Sequence, residues 1–146
     1  MACRAALRGD YGGVPDGEFV DGVNPTDEEI RRWAYSGALE PMQDWDLIIG
    51  FAWHAETLID LVGDSGCPSR RYLLGALALL VGDAVRTGYH TTSREELQRL
   101  LAIADSREDQ WLSAWAARSR RLMESPSAFD YAAWCGGGLA LTPVAD

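Results

Sequence analysis

Apolar residues in this chain recur every three or four positions, the period of an amphipathic helix, and nowhere alternate strictly as a half-buried strand would. Ile30, Trp33 and Ala34 form the first stripe. Thr26 with Glu29 makes a T-x-x-E capping box ahead of it and Gly37 supplies a stop, so a helix is predicted over 26–36. Ile48, Phe51, Ala52, Ala55, Leu58, Ile59 and Val62, widened by Trp45, Ile49 and Trp53, predict a second over 44–62. Pro68 and Ser69 open a third over 69–87. From Leu73 to Val81 it is apolar on nearly every face, which puts it at the centre of the fold. A second capping box, Ser93 with Glu96, precedes the stripe of Leu97, Leu100, Leu101 and Ala104 and predicts a helix over 94–105. Trp111, Leu112, Trp115, Ser119 and Leu122 predict another over 107–124. Arg118, Arg120 and Arg121 fall in its last turns, where cations suit the negative end of the helix dipole. Phe129, Tyr131 and Trp134 mark a short last helix over 127–134.

The expected fold is therefore all-α: a single-domain bundle of five to six helices, with two helical hairpins around the central apolar helix 69–87. A length of 146 residues suits one domain. The expected division is an irregular, acidic, Gly/Asp/Pro-rich N-terminal arm over 1–25, a helical domain over 26–138 and a short tail over 139–146. Gly75, Ala78 and Gly82 share one face of the central helix. Such a face admits close approach of another helix, either from the same chain or from a second copy in a homodimer.

Charge changes this picture from a generic bundle to a polarised one. The formal net charge is -9, from 22 acidic and 13 basic residues, and every base is Arg. Residues 1–64 hold 13 carboxylates and four Arg, while residues 65–146 hold nine of each. The whole net charge thus belongs to the first part of the chain. An acidic surface disfavours nucleic acid and anionic membrane and suits a basic protein partner. The expectation is an acidic protein–protein interaction module, of the surface character seen in immunity or inhibitor proteins. Trp45, set between Asp44 and Asp46, is the expected exposed anchor, with Asp27 and Glu28 on the same binding surface.

Other chemistry is sparse. Cys3, Cys67 and Cys135 are odd in number and far apart, with no CxxC pair, so no zinc site or disulfide framework is expected. The most apolar run, Tyr72 to Gly82, is eleven residues, too short to span a bilayer, and the first residues lack the apolar stretch of a signal peptide. A cytoplasmic setting follows. Walker, GxGxxG, HExxH, EF-hand and Glu-x-x-His patterns are all missing, and no metal or cofactor is expected. Gly63-Asp64-Ser65-Gly66 resembles the nucleophile motif of chymotrypsin-like serine proteases for four residues and departs at Cys67. Gly, Asp and Ser are also what a helix-ending turn requires.

Asp83 stands apart. It follows Gly82 near the end of the apolar helix, where the dipole disfavours a carboxylate and burial would demand a partner. Arg86 lies one turn on, and Arg70, Arg71 and His54 are the tertiary alternatives. Asp83, Arg86 and His54 therefore form the alternative candidate site, that of a small helical enzyme or small-molecule binder walled by Trp53 and Tyr89.

Overall fold

The capping box at Thr26 forms as the sequence requires. Its hydroxyl accepts from Glu29 N–H at 3.1 Å, and Glu29 Oε1 accepts from Thr26 N–H at 2.9 Å. These bonds start α1 (Asp27–Ser36), which ends where Gly37 takes a left-handed φ of 73°. The computed structural model describes residues 19–130, 132 and 134, and among them the chain is helical with no strand. The further helices are α2 (Trp45–Ile49), α3 (Ala52–Val62), α4 (Arg70–Arg86), α5 (Arg94–Ser106) and α6 (Gln110–Glu124), followed by a 3-10 turn at Pro126–Ala128. Residues 1–18, with most of the predicted arm and Cys3, lie outside the described residues, as do Cys135 and the predicted tail.

α4 is the centre of the bundle, as its all-round apolarity predicts. Leu73, Leu74, Ala76, Leu77, Leu80, Val81 and Ala84 on it are buried. α3 and α4 form one hairpin, α5 and α6 the other, and α4 also meets α2 and α6. Among the described residues no helix is long and apolar enough to cross a membrane.

Three expectations need correcting. The helix predicted over 44–62 is two helices. At Gly50 a Cβ would stand 2.9 Å from the carbonyl oxygens of both Ala76 and Asp46, so the chain presses its bare backbone against α4 there. Phe51 is then extended, with φ -126° and ψ 159°, before α3 starts. The apolar spacing runs on through this break and cannot reveal it. The helix predicted from 107 begins at Gln110 instead. Asp109 caps it, its carboxylate accepting from the N–H groups of Trp111 and Leu112 at 3.0 Å each. Glu108 just before takes a left-handed φ of 56°.

The third correction concerns Trp45, which is fully buried and not an exposed anchor. It begins α2, whose other buried residue is Ile49, so the inward face one turn on carries the indole inward too. The ring centroid lies 4.9 Å from that of Phe19, 4.9 Å from Trp33 and 6.4 Å from Tyr72. Its Nε1 donates to Gly22 O at 2.9 Å. The last residues of the predicted arm are accordingly held in place: Phe19 packs on Trp45, and Val20 N–H donates to Glu29 Oε2 at 3.0 Å.

Part of the small-residue face of α4 is used within the chain. The Trp134 indole N–H donates to Ala78 O, and a Cβ on Gly82 would come within 2.7 Å of Trp134 Cδ1. Gly75, on the same face, has nothing within 4 Å of its missing Cβ. Trp134 N–H also donates to Asp130 O at 2.9 Å, a helical turn inside the predicted 127–134 segment.

Candidate functional site

Helix α3 opens with two large aromatics at Phe51 and Trp53, two residues apart. On one continuous helix side chains at that spacing would point about 200° apart. The extended Phe51 turns back so that the two rings stack, with centroids 4.6 Å apart and an interplanar angle of 3°. Trp53 is 68% exposed. Burial is the usual fate of so large an apolar ring, and Val20, Val23 and Leu47 are exposed with it.

The pair borders a groove of about 420 Å³ lined by Val23, Asn24, Pro25, Leu47, Ile48, Phe51, Trp53 and His54. The loop before α1 forms one wall, and α2 with the start of α3 forms the other. One residue past Trp53, His54 turns inward and is buried. Its Nδ1 lies 2.7 Å from Asp27 Oδ1, in the first turn of α1. An ionised carboxylate only accepts, so at that distance Nδ1 carries a proton and donates it to Asp27 Oδ1.

The carboxylates of the chain divide into those that meet an arginine and those that do not. Asp60, Asp83, Asp105, Asp109, Glu56 and Glu96 each pair with an arginine. Among the described residues Asp21, Glu28, Glu40, Asp44 and Asp46 in the first part of the chain make no ion pair, and neither do Glu95, Glu108 and Glu124 in the second. Asp44 precedes α2 with a left-handed φ of 58°, and its side chain caps nothing. Helix capping therefore does not account for its charge. Burial pushes the Asp46 carboxyl above its ordinary range, and the negative charges of Asp44 and Glu40 add to that against a hydrogen bond from Leu47 N–H. Burial likewise raises the Tyr72 hydroxyl, helped by the charges of Asp46 and Glu40.

These charges have a testable cost. A carboxyl raised by folding opposes the folded state once it is ionised. Asp46→Asn is therefore expected to stabilise the protein at neutral pH. The gain should vanish as the pH falls below about 4, where the carboxyl is protonated in both states. Urea midpoints of the two proteins across pH 3 to 7 measure this, and a difference independent of pH would contradict it.

The predicted residues are thus sorted by the structure. Asp27 and His54 come together, with exposed Glu28 next to Asp27. Asp44 and Asp46 flank a buried Trp45 at the start of the same α2 that contributes Leu47 and Ile48 to the groove. Asp83 takes Arg86 at 3.0 Å across one turn, the partner expected from spacing, and this pair is separate from the one His54 makes. Of the two expected walls, Trp53 lines the groove, whereas the Tyr89 hydroxyl accepts from Arg94 at 3.0 Å. Trp53 as the exposed aromatic was the residue missed, since in the sequence it reads as one apolar stripe with Trp45.

Asp64 and Gly66 form a turn, not a catalytic elbow. Asp64 Oδ1 accepts from Gly66 N–H at 2.8 Å, and Oδ2 accepts from the Tyr35 hydroxyl at 2.5 Å. That hydroxyl bond holds the Asp64 carboxyl down and pushes Tyr35 up to about 12. Burial pushes the nearby Cys67 thiol up, which makes it a poor nucleophile. Among the described residues no three His, Cys, Asp or Glu side chains gather as metal ligands would. No family model, curated protein or solved structure matches this chain, so any function must be argued from its own residues.

Proposed function

We propose that the protein is a binding module for a basic protein partner, of the immunity or inhibitor type, acting in the cytoplasm. The observation that carries this reading is Trp53, exposed and stacked on Phe51 at an apolar groove, in the part of the chain that holds the net charge. An apolar side chain of the partner enters the groove against Ile48 and Phe51. A partner arginine or lysine lies over the open face of Trp53, where the ring quadrupole attracts it. Carboxylates without ion pairs in the same part of the chain, Glu28, Asp44 and Asp46 among them, draw in such a partner and disfavour an acidic one. Charge complementarity therefore selects a basic segment with an apolar anchor. The odd and scattered cysteines, with Cys67 free and buried, suit a reducing compartment.

A peptide alternating arginine with leucine tests this by tryptophan fluorescence. Binding is expected to quench the emission and to weaken steeply as salt rises. Trp53→Ala is expected to weaken it about thirtyfold, as a hot-spot residue does, while the stability from urea unfolding changes by less than about 0.5 kcal/mol. Binding that ignores both salt and Trp53, or that maps to residues 65–130, overturns the proposal.

A further inference from the structure

The second half of the chain does not share the imbalance of the first. It is neutral in sum, yet some of its arginines lack carboxylates. Arg70, Arg86, Arg99, Arg107 and Arg120 are each in ion pairs. Among the described residues Arg71, Arg94, Arg118 and Arg121 are in none, and of these Arg118 and Arg121 share one cleft. In a protein with nine more carboxylates than bases, two arginines one helical turn apart and without an anion need an explanation.

Both lie on the last turns of α6 and line an open cleft of about 590 Å³, together with Leu122, Ser125, Phe129 and Trp134. The Arg118 guanidinium sits 4.7 Å over the Trp134 ring. That ring is a fixed platform: it is buried, its N–H is bound to Ala78 O, and Gly82 leaves the space it occupies. Stacking on such a platform orients a planar guanidinium and leaves its edge donors free for a ligand. Burial lowers the Arg118 guanidinium below its usual range, and the positive charge of Arg121 adds to this. A bound anion would favour the charged guanidinium against both effects. Asp130, also on the lining, and the carbonyl end of α6 work against an anion, so the cleft selects one that also gains from apolar contact.

We infer that this cleft binds a small amphipathic anion, with a phosphate or carboxylate head on a flat apolar body. The head lies between Arg118 and Arg121, within reach of the Ser125 hydroxyl, and the body rests on Leu122 and Phe129. The site is distinct from the Trp53 groove and does not depend on the function proposed for it.

Phenyl phosphate and benzoate are the probes, with binding read from calorimetry and from the Trp134 indole N–H resonance. At least one of them is expected to bind below about 1 mM and shift that resonance, and the tighter of the two identifies the head group. Benzyl alcohol and inorganic phosphate, each lacking one half of the ligand, are expected to bind at least about tenfold more weakly. Arg121→Gln, which leaves the Arg118–Trp134 contact in place, is expected to weaken binding about tenfold, and Asp130→Asn to strengthen it. Arg118→Gln is expected to weaken it as well, with circular dichroism verifying the fold. No Trp134 shift with either aromatic anion at about 10 mM overturns the inference, as does affinity unchanged by Arg121→Gln or inorganic phosphate binding equally well.

Discussion

Replacing Trp45 by Ala is expected to destabilise the protein by about 3–5 kcal/mol, the largest effect of any single side chain considered. The indole is fully buried and packs against the rings of Phe19, Trp33 and Tyr72. Aromatic contacts of this kind add about 0.5–1.5 kcal/mol each beyond simple burial. Truncation also leaves Gly22 O without the donor that now reaches it at 2.9 Å. Trp45 joins four separate pieces of chain: the segment before α1, α1 itself, α2 and α4. Against a typical total stability of about 5–15 kcal/mol, most of the margin would go. Trp45→Phe keeps most of the packing and loses the hydrogen bond, so about 1–2 kcal/mol is expected. Urea unfolding of both variants decides the matter. A Trp45→Ala midpoint as little changed as that of Trp53→Ala would mean that the two tryptophans have been assigned the wrong way round.

Asp109→Ala is expected to cost about 2–4 kcal/mol, through two losses at one carboxylate. The first is the cap of α6, with its two bonds of 3.0 Å from Trp111 and Leu112 N–H. The second is the ion pair with Arg70, whose Nη2 lies 2.9 Å from Asp109 Oδ1 with both side chains largely buried, at 13% and 17% exposure. Arg70 cannot simply turn to solvent. Its Nε donates to Val62 O at 2.9 Å, and its guanidinium lies 3.9 Å over the Trp111 ring. This one arginine thus binds the end of α3 and the start of α6 to the start of α4. Asp109→Asn retains an acceptor for the cap and loses only the charge, so roughly half the effect is expected. A double-mutant cycle with Arg70→Met should show strong non-additivity, because the two residues share one network. Additive effects would reduce Asp109 to a simple cap.

The parts of this fold that were readable in advance are the ones whose causes lie close together in the chain. Thr26 with Glu29 acts across three residues and forms the full capping box, while at Ser93 only the hydroxyl half forms, accepting from Glu96 N–H, because the Glu96 carboxylate turns to Arg99. Asp83 finds Arg86 across the same three-residue spacing. α4 was readable because a helix apolar on every side has nowhere to go but the centre. The break at Gly50 was not, because its cause is the carbonyl of Ala76, 26 residues on. Asp109 is a different kind of miss: its capping chemistry is local, but charged residues on either side offered competing starts for the same helix.

The candidate site was less readable still. Composition located the net charge, and the pattern supplied six tryptophans, but neither says which indole faces water. Trp45 and Trp53 lie eight residues apart on what reads as one stripe. The break between α2 and α3 separates their fates, turning one ring inward and leaving the other stacked on Phe51 in solvent. The Asp27–His54 pair and the Arg118–Trp134 contact likewise join residues that no spacing rule connects. Helical period, caps and charge balance act over one or two turns, so local chemistry set the helices, their order and the acidic character of the first part of the chain. Packing set where the helices break, which aromatic is exposed and which charges are left without partners, since each of these depends on which distant backbone arrives to fill or leave a space.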